Sequence, residues 1–383
     1  MKNKIYKIID CDRHVIEPIE IWKHYLSSYL DGIPKIELSF DNEMKLSERV
    51  SQGFPALSLP PVYKIAGKPI LSNWDIEQQV ATALINSQSI KERKSATNPK
   101  DQLSSMDDTN VSQAIIFPTF ANYIVNHKDL DTRASLAYAE AYNKWIRDYC
   151  AHSPKRLLPV GLISRHDTST LVEQVQTIAS FGWKSVVLRP EPILGKSLGH
   201  PDNDDFWKAC AALGIVVSFH GGTHLQGETV GMDRFSTRFS LHACSHPMEA
   251  QMAFVSLLEA GVLERNPRLK LAFLEAGCSW VAHWLWRLDN ICYNEFPSLT
   301  EKNITMPPSE YFKRHCWVGM EIGEPLTDTL ASIGHKKLIF GSDYPHPDHL
   351  HFDLTEIAQK IPELNSEQLT DILENNPKAL FDL

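Results

Sequence analysis

The chain has 383 residues, 43% hydrophobic and 22% charged, which excludes a largely disordered chain. Only 18 Gly and 7 Cys exclude the collagen-like and disulfide-scaffold classes. Lys plus Arg number 38 and Asp plus Glu 47, a net charge of −9 that argues against a nucleic-acid partner, because phosphate neutralisation needs a basic surface. The length suits one large α/β domain or two average ones.

The N-terminus, Met1 to Asp10, carries basic residues but no apolar core of signal-peptide length. No run of about 18 apolar residues occurs, so no membrane span is expected. Cys11, Cys150, Cys210, Cys244, Cys278, Cys292 and Cys316 are scattered and form no CxxC pair. This usage predicts a reducing compartment and a cytoplasmic protein.

Taken in chain order, eight apolar runs read as strands. They are Ile8–His14, Gln113–Thr119, Leu157–Ser164, Ser185–Pro190, Gly214–His220, Leu269–Ala276, His315–Ile322 and Lys337–Asp343. Most are continuous rather than alternating, as suits strands buried on both faces of a parallel sheet. Helix-period segments lie between them at Asp131–Cys150, Leu171–Phe181, Asp204–Leu213, Met248–Glu264, Trp280–Tyr293 and Pro325–Ile333. The alternation predicts an α/β fold, a (β/α)8 TIM barrel forming a single domain over 1–383. The alternative is a doubly wound open sheet, but no GxGxxG follows the first strand. Residues at about 24–110 break the alternation and carry Pro34, Pro55, Pro60, Pro61 and Pro69. They read as a long insertion after strand 1, partly helical around Ile76–Arg93. It forms either a lid or partner surface over the barrel mouth or a peripheral decoration.

Barrel chemistry is built at the C-terminal ends of the strands. Strand one ends in Asp12-Arg13-His14, followed by Glu17; strand five ends in His220, strand six in Glu275 and strand eight in Asp343. Asp12 and His14 are two apart and point to one side of the strand. A carboxylate and an imidazole can then meet one ion at the mouth. Singly, each residue has a plain structural reading: His220 as a bonded core histidine, Asp343 as a turn residue. Together they predict a metal site.

Around that core stand further candidates. Arg189 ends strand four and suits a bidentate carboxylate anchor, with a salt bridge to a structural acid as the alternative. His346 binds substrate, orients Asp343 or is simply a surface-loop histidine, and His242 has a similar status. His246 follows strand five on a long loop and is a catalytic candidate. His224 lines the mouth, whereas His349 and His351 read as exposed loop residues. Trp280 and Trp284 share a helical face and read as core packing.

The motifs IIDCDRHVIEP at 9–18, VVLRP at 186–190, VVSFHGG at 216–222, FLEAG at 273–277 and FGSDYPH at 340–346 carry a resemblance. The chain resembles the amidohydrolase superfamily, in its amidohydrolase-related branch that contains aminocarboxymuconate-semialdehyde decarboxylase. The resemblance spans nearly the whole chain. It implies a barrel with a divalent metal held by Asp12, His14, His220 and Asp343. Strand one departs from the commoner HxH, and strand four ends in Arg189 where a metal-bridging Lys or Glu is usual. Glu17 and Glu275 are added as metal candidates, and His246 as a further donor. Carboxylates shift preference from Zn toward Mn or Fe, and seven donors leave room for two ions.

The expected function is a metal-dependent hydrolase or non-oxidative decarboxylase on a small carboxylate-bearing substrate, with Asp343 as general acid–base. The alternatives are a dinuclear iron or Fe/Mn O2-activating oxygenase and a non-catalytic partner subunit. The expected partners are a small-molecule substrate and a second subunit, in a homodimer or a pairing with a related chain.

Overall fold

The computed structural model describes residues 6–18, 20–26, 32–38, 63–65, 67–69, 89–222, 228–295, 297–346 and 356–383. All eight apolar runs contain strands. They are β1 (Ile8–His14), β5 (Val111–Phe117), the split pair β6 (Leu157–Pro159) and β7 (Gly161–Leu162), β8 (Ser185–Leu188), β9 (Val216–His220), β10 (Lys270–Leu274), β11 (Cys316–Met320) and β12 (Leu338–Phe340). A small antiparallel sheet, β2 (Ile36–Leu38), β3 (Tyr63–Ile65) and β4 (Lys68–Pro69), lies within the insertion.

The barrel strands are parallel and neighbours in space follow sequence order, β1-β5-β6 and β7-β8-β9-β10-β11-β12. The third run is split at Val160, whose N–H still bonds Ile116 O. Between β12 and β1 the seam closes just past the last strand, where Asp343 N donates to Asp12 O at 2.8 Å and His14 N to Tyr344 O at 2.7 Å. The fold is therefore the TIM barrel expected from the alternating runs, and the strand residues are buried because helices cover the outside.

The helix-period segments form helices at Thr132–Cys150, Leu171–Ser180, Asp204–Leu213, Pro247–Glu259, Val262–Arg265, Trp280–Arg287 and Thr327–Ile333. Trp280 and Trp284 pack against the core, as read from their shared face, while Trp286 is exposed. Helices also form outside those segments: Arg238–Ser245 lies in the stretch read as a long loop after strand five, and Pro308–His315 precedes β11.

The C-terminal end of the 24–110 stretch belongs to the barrel rather than to an insertion. Helix Pro99–Asp108 is the crossover from β1 to β5, capped by Asn98, whose side chain accepts Asp101 N. Its Gln102 donates to His14 O at 2.9 Å and so supports the first strand from outside. Of the helix expected around Ile76–Arg93, residues 76–88 lie outside the described residues, and Ser89–Ser95 is helical. Among the described residues, no helix is long and apolar enough to cross a membrane.

Candidate metal centre

Asp12, His14, His220 and Asp343 meet at the C-terminal mouth, one donor atom of each within 4.8 Å of the others. His14 Nε2 and His220 Nε2 are 2.9 Å apart, and Asp12 Oδ1 lies 3.2 Å from each. Asp343 Oδ1 lies 3.3 Å from His14 Nε2. Three of the four are almost fully buried.

The ring protonation follows from the partners. His14 Nδ1 donates to Pro118 O at 2.9 Å, because a carbonyl can only accept. His220 Nδ1 faces Gly221 O at 3.3 Å and Glu275 Oε2 at 3.2 Å, which also accept. In neutral imidazoles both Nε2 atoms are then lone pairs pointed at one another and at two carboxylates. Four acceptors without a donor between them require a cation, so the residues fit a divalent metal. Without one, the protein holds a proton instead. Burial would push His220 down, but the charges of Asp12 and Glu275 outweigh it and raise the ring to about 9. Burial would raise Asp12, but His220 and His14 hold it below the ordinary carboxylate range.

A second layer fixes these four. Asp10, two residues before Asp12, accepts Ser342 N at 2.9 Å and Ser342 Oγ at 2.6 Å, which sets the turn carrying Asp343. Asp343 itself sits at a φ of 54°, and Glu275 at 51°, left-handed values that side-chain-bearing residues adopt only when the surroundings enforce them. The Glu275 turn is enforced by Glu324. Its carboxylate accepts Cys278 N, Ser279 N and Glu321 N at 2.8–3.0 Å, and so ties the exit of β10 to that of β11. Asp10 and Glu324 were missed from sequence. Asp10 lies in the apolar first run, where a buried acid is a signal; Glu324 stands in an unremarkable loop.

The structure corrects several sequence expectations. Glu17 does not reach the metal group. Its two oxygens accept the N–H groups of Thr119, Phe120 and Ala121, each at 3.0 Å, and burial raises its carboxyl to about 7 against those bonds. Glu17 thereby fixes the Pro118–Thr119 turn on which His14 and His346 rest. Arg189 does not face the mouth with free donors. It is 1% exposed, with Nε and Nη2 on Glu191 Oε1 at 2.7 Å, Nη1 on Gly221 O at 2.6 Å and Nη2 on Gly222 O at 2.9 Å. Its guanidinium holds the loop after His220, so the salt-bridge reading prevails.

His346 orients Asp343, with Nδ1 on Asp343 Oδ1 at 2.7 Å and Nε2 on Thr119 Oγ1 at 3.0 Å. His246 lies behind Glu275, its Nε2 3.4 Å from Oε1, and does not line the cavity described next. Glu275 bridges His220 and His246 and, with Asp343 and His346, forms a second group of donors within 4.8 Å of one another. His224, His349 and His351 lie outside the described residues.

A cavity of about 140 Å³ opens beside the four donors. Its lining includes the acids Asp12, Glu275, Glu321 and Asp343, the apolar Leu274, Met320, Ile322 and Phe340, and His242. It can admit a small organic molecule to within reach of an ion held by the four donors.

The chain is similar to known proteins over most of its length. A 2-amino-3-carboxymuconate-6-semialdehyde decarboxylase of Dictyostelium discoideum is 25% identical over 268 residues, 69% of this chain and 71% of that protein. In fold, an amidohydrolase from Mycobacterium avium subsp. paratuberculosis superposes with a TM-score of 0.77 at 20% identity, covering 98% of this chain and 99% of its own. The 5-carboxyvanillate decarboxylase of Novosphingobium aromaticivorans, solved with manganese and 4-hydroxy-3-methoxy-5-nitrobenzoic acid, superposes with a TM-score of 0.70 at 15% identity over the full length of both chains. With the amidohydrolase family model matching residues 9–383, the chain belongs to the amidohydrolase family, as its strand-end motifs implied.

Proposed function

We propose that the chain is a metal-dependent enzyme, and within that class a non-oxidative decarboxylase of a small carboxylate-bearing substrate. The observation that carries this reading is the pair of imidazole Nε2 atoms 2.9 Å apart, each ring turning its Nδ1 to an outer acceptor, with Asp12 and Asp343 completing the donor set. A divalent ion held there supplies a positive charge that binds and polarises substrate oxygens. Decarboxylation over hydrolysis is favoured by the names of the relatives, several of which are decarboxylases. The same names lend no support to the oxygenase alternative. The cavity beside the donors speaks against a non-catalytic partner subunit.

In the reaction the bond to the carboxylate carbon breaks, CO2 leaves, and the electron pair left on carbon takes a proton. Asp343 lines the cavity and would relay that proton, taking it from water and passing it to the carbon. His346 holds the Asp343 carboxylate from behind, and Glu275 holds the His220 ring. His246 acts through Glu275 as a positioning residue. The test is to load the purified chain with manganese or zinc and assay carboxylated aromatics and carboxymuconate semialdehydes for CO2. CO2 release lost in Asp343→Asn is expected. A metal-loaded chain that cleaves amides or esters and releases no CO2 is a hydrolase instead.

A second ion is a further reading, favoured by the second donor group of Glu275, Asp343 and His346, which shares Asp343 with the first. Two ions per chain in the wild type, falling to one in Glu275→Ala, are expected. One ion per chain in both removes it.

A further inference from the structure

The cavity poses a charge problem. The described residues lining it include Asp12, Glu275, Glu321 and Asp343, and no Lys or Arg. Arg189, which sequence offered as the carboxylate anchor, is buried against Glu191, Gly221 and Gly222 and does not line the cavity. An ion at the four donors can meet one anionic group of a substrate. A second anionic group would face carboxylates unless a cation or ring N–H stood opposite. Among the described lining residues, His242 alone offers that.

Its placement suits the task. His242 occupies the last turn of helix Arg238–Ser245, which starts at the Thr237 cap. The ring is half-buried and stacks on His246, with centroids 4.5 Å apart and planes 29° from parallel. His246 in turn packs against Gly221, where an added Cβ would lie 3.2 Å from His246 Cδ2, and points its Nε2 at Glu275. The stack holds the His242 ring at a set angle beside the cavity, joined through His246 and Glu275 to the metal group.

We propose that His242 is a substrate-recognition residue that binds a second anionic group, a carboxylate or phenolate, on a substrate whose first anionic group lies at the metal. This rests on the metal-enzyme reading above. It assigns the cavity a dianionic, ring-sized substrate, the ring lying against Leu274, Met320, Ile322 and Phe340.

The test uses the full chain loaded with manganese, with metal content measured first, and calorimetric titration with benzoate and with isophthalate. The wild type should prefer isophthalate by roughly ten- to hundredfold, the range for a hydrogen bond to a charged group. His242→Ala should lose most of that preference, and His242→Gln, which keeps an N–H donor, should restore part of it. Normal metal content with equal affinity for the two ligands in the wild type, or with the preference intact in His242→Ala, overturns the assignment and leaves His242 as packing for His246. Failure of the wild type to take up metal overturns the metal reading itself, and this assignment falls with it.

Discussion

Arg189 and Glu249 show how a buried charge is read from its partners. Arg189 stands where a substrate anchor would, yet every contact it makes is structural. Replacing it with Met leaves Glu191, which is fully buried, without its guanidinium partner. Breaking a buried pair in this way costs about 3–5 kcal/mol. Arg189→Met should therefore lower the urea midpoint strongly. A variant of wild-type stability that had lost only substrate affinity would return Arg189 to the anchor role.

Glu249, on the helix that follows His246, is the neighbouring case. Its Oε1 accepts Val230 N, while its buried Oε2 has no partner, as is true of Glu191 Oε2. Burial, and then the charge of Glu191, raise Glu249 from 4.5 to about 7. A raised acid contributes stability that is complete below its unfolded value and is lost as pH rises through the folded one. Glu249→Gln cannot ionise. Its stability relative to wild type should improve between pH 5 and pH 8 by about 1–3 kcal/mol. Melting both proteins at the two pH values measures this, and an unchanged difference would mean that Glu249 titrates as an ordinary surface acid.

At the scale of elements, the metal group depends on the seam between β12 and β1. Gly341 follows β12 and lies against Asp12 so closely that an added Cβ would sit 2.4 Å from Asp12 Cβ. No far end of a flexible side chain is there to give way. Gly341→Ala should cost about 1–3 kcal/mol as overpacking and displace Asp12, lowering metal uptake. Gly319 on β11 is the control, since its added Cβ would meet Leu274 Cδ2 at an ordinary 3.5 Å. Equal metal content in the two alanine variants would show that the seam does not set the position of Asp12. The exits of β10 and β11 are joined by Glu324 as Asp10 and Ser342 join those of β1 and β12. Neighbouring strand exits at the mouth are thus cross-braced in pairs by carboxylates accepting backbone N–H groups.

For the whole molecule, donors from the first, fifth and eighth strands of the barrel make an ion a clasp across the mouth. Binding to the folded state alone at one hundred times the dissociation constant adds about 2.7 kcal/mol. In a chain of this length that corresponds to a rise in melting temperature of about 3–5 °C. Manganese should produce such a rise in the wild type and much less in Asp343→Asn. Equal shifts in both would place the ion elsewhere.

What the sequence by itself determined is the barrel and the four donors. Continuous apolar runs report burial on both faces of a strand, and the residue ending each run falls at the mouth by the geometry of the fold. Asp12, His14, His220 and Asp343 each lie at the end of a run, and it is their combination at one mouth that marks them as a group. What only the tertiary structure decided is the work of the other polar residues. Glu17 was counted as a metal donor because it is an acid near the mouth, but its oxygens are filled by N–H groups of Thr119, Phe120 and Ala121, more than a hundred positions away. Arg189 was counted as an anchor because it ends a strand, but carbonyls on the neighbouring strand's exit loop claim its donors. Periodicity records which way a side chain faces, whereas the partner of a buried polar group is a backbone atom supplied by another element. Every residue type carries that atom, so no sequence pattern marks where it will be.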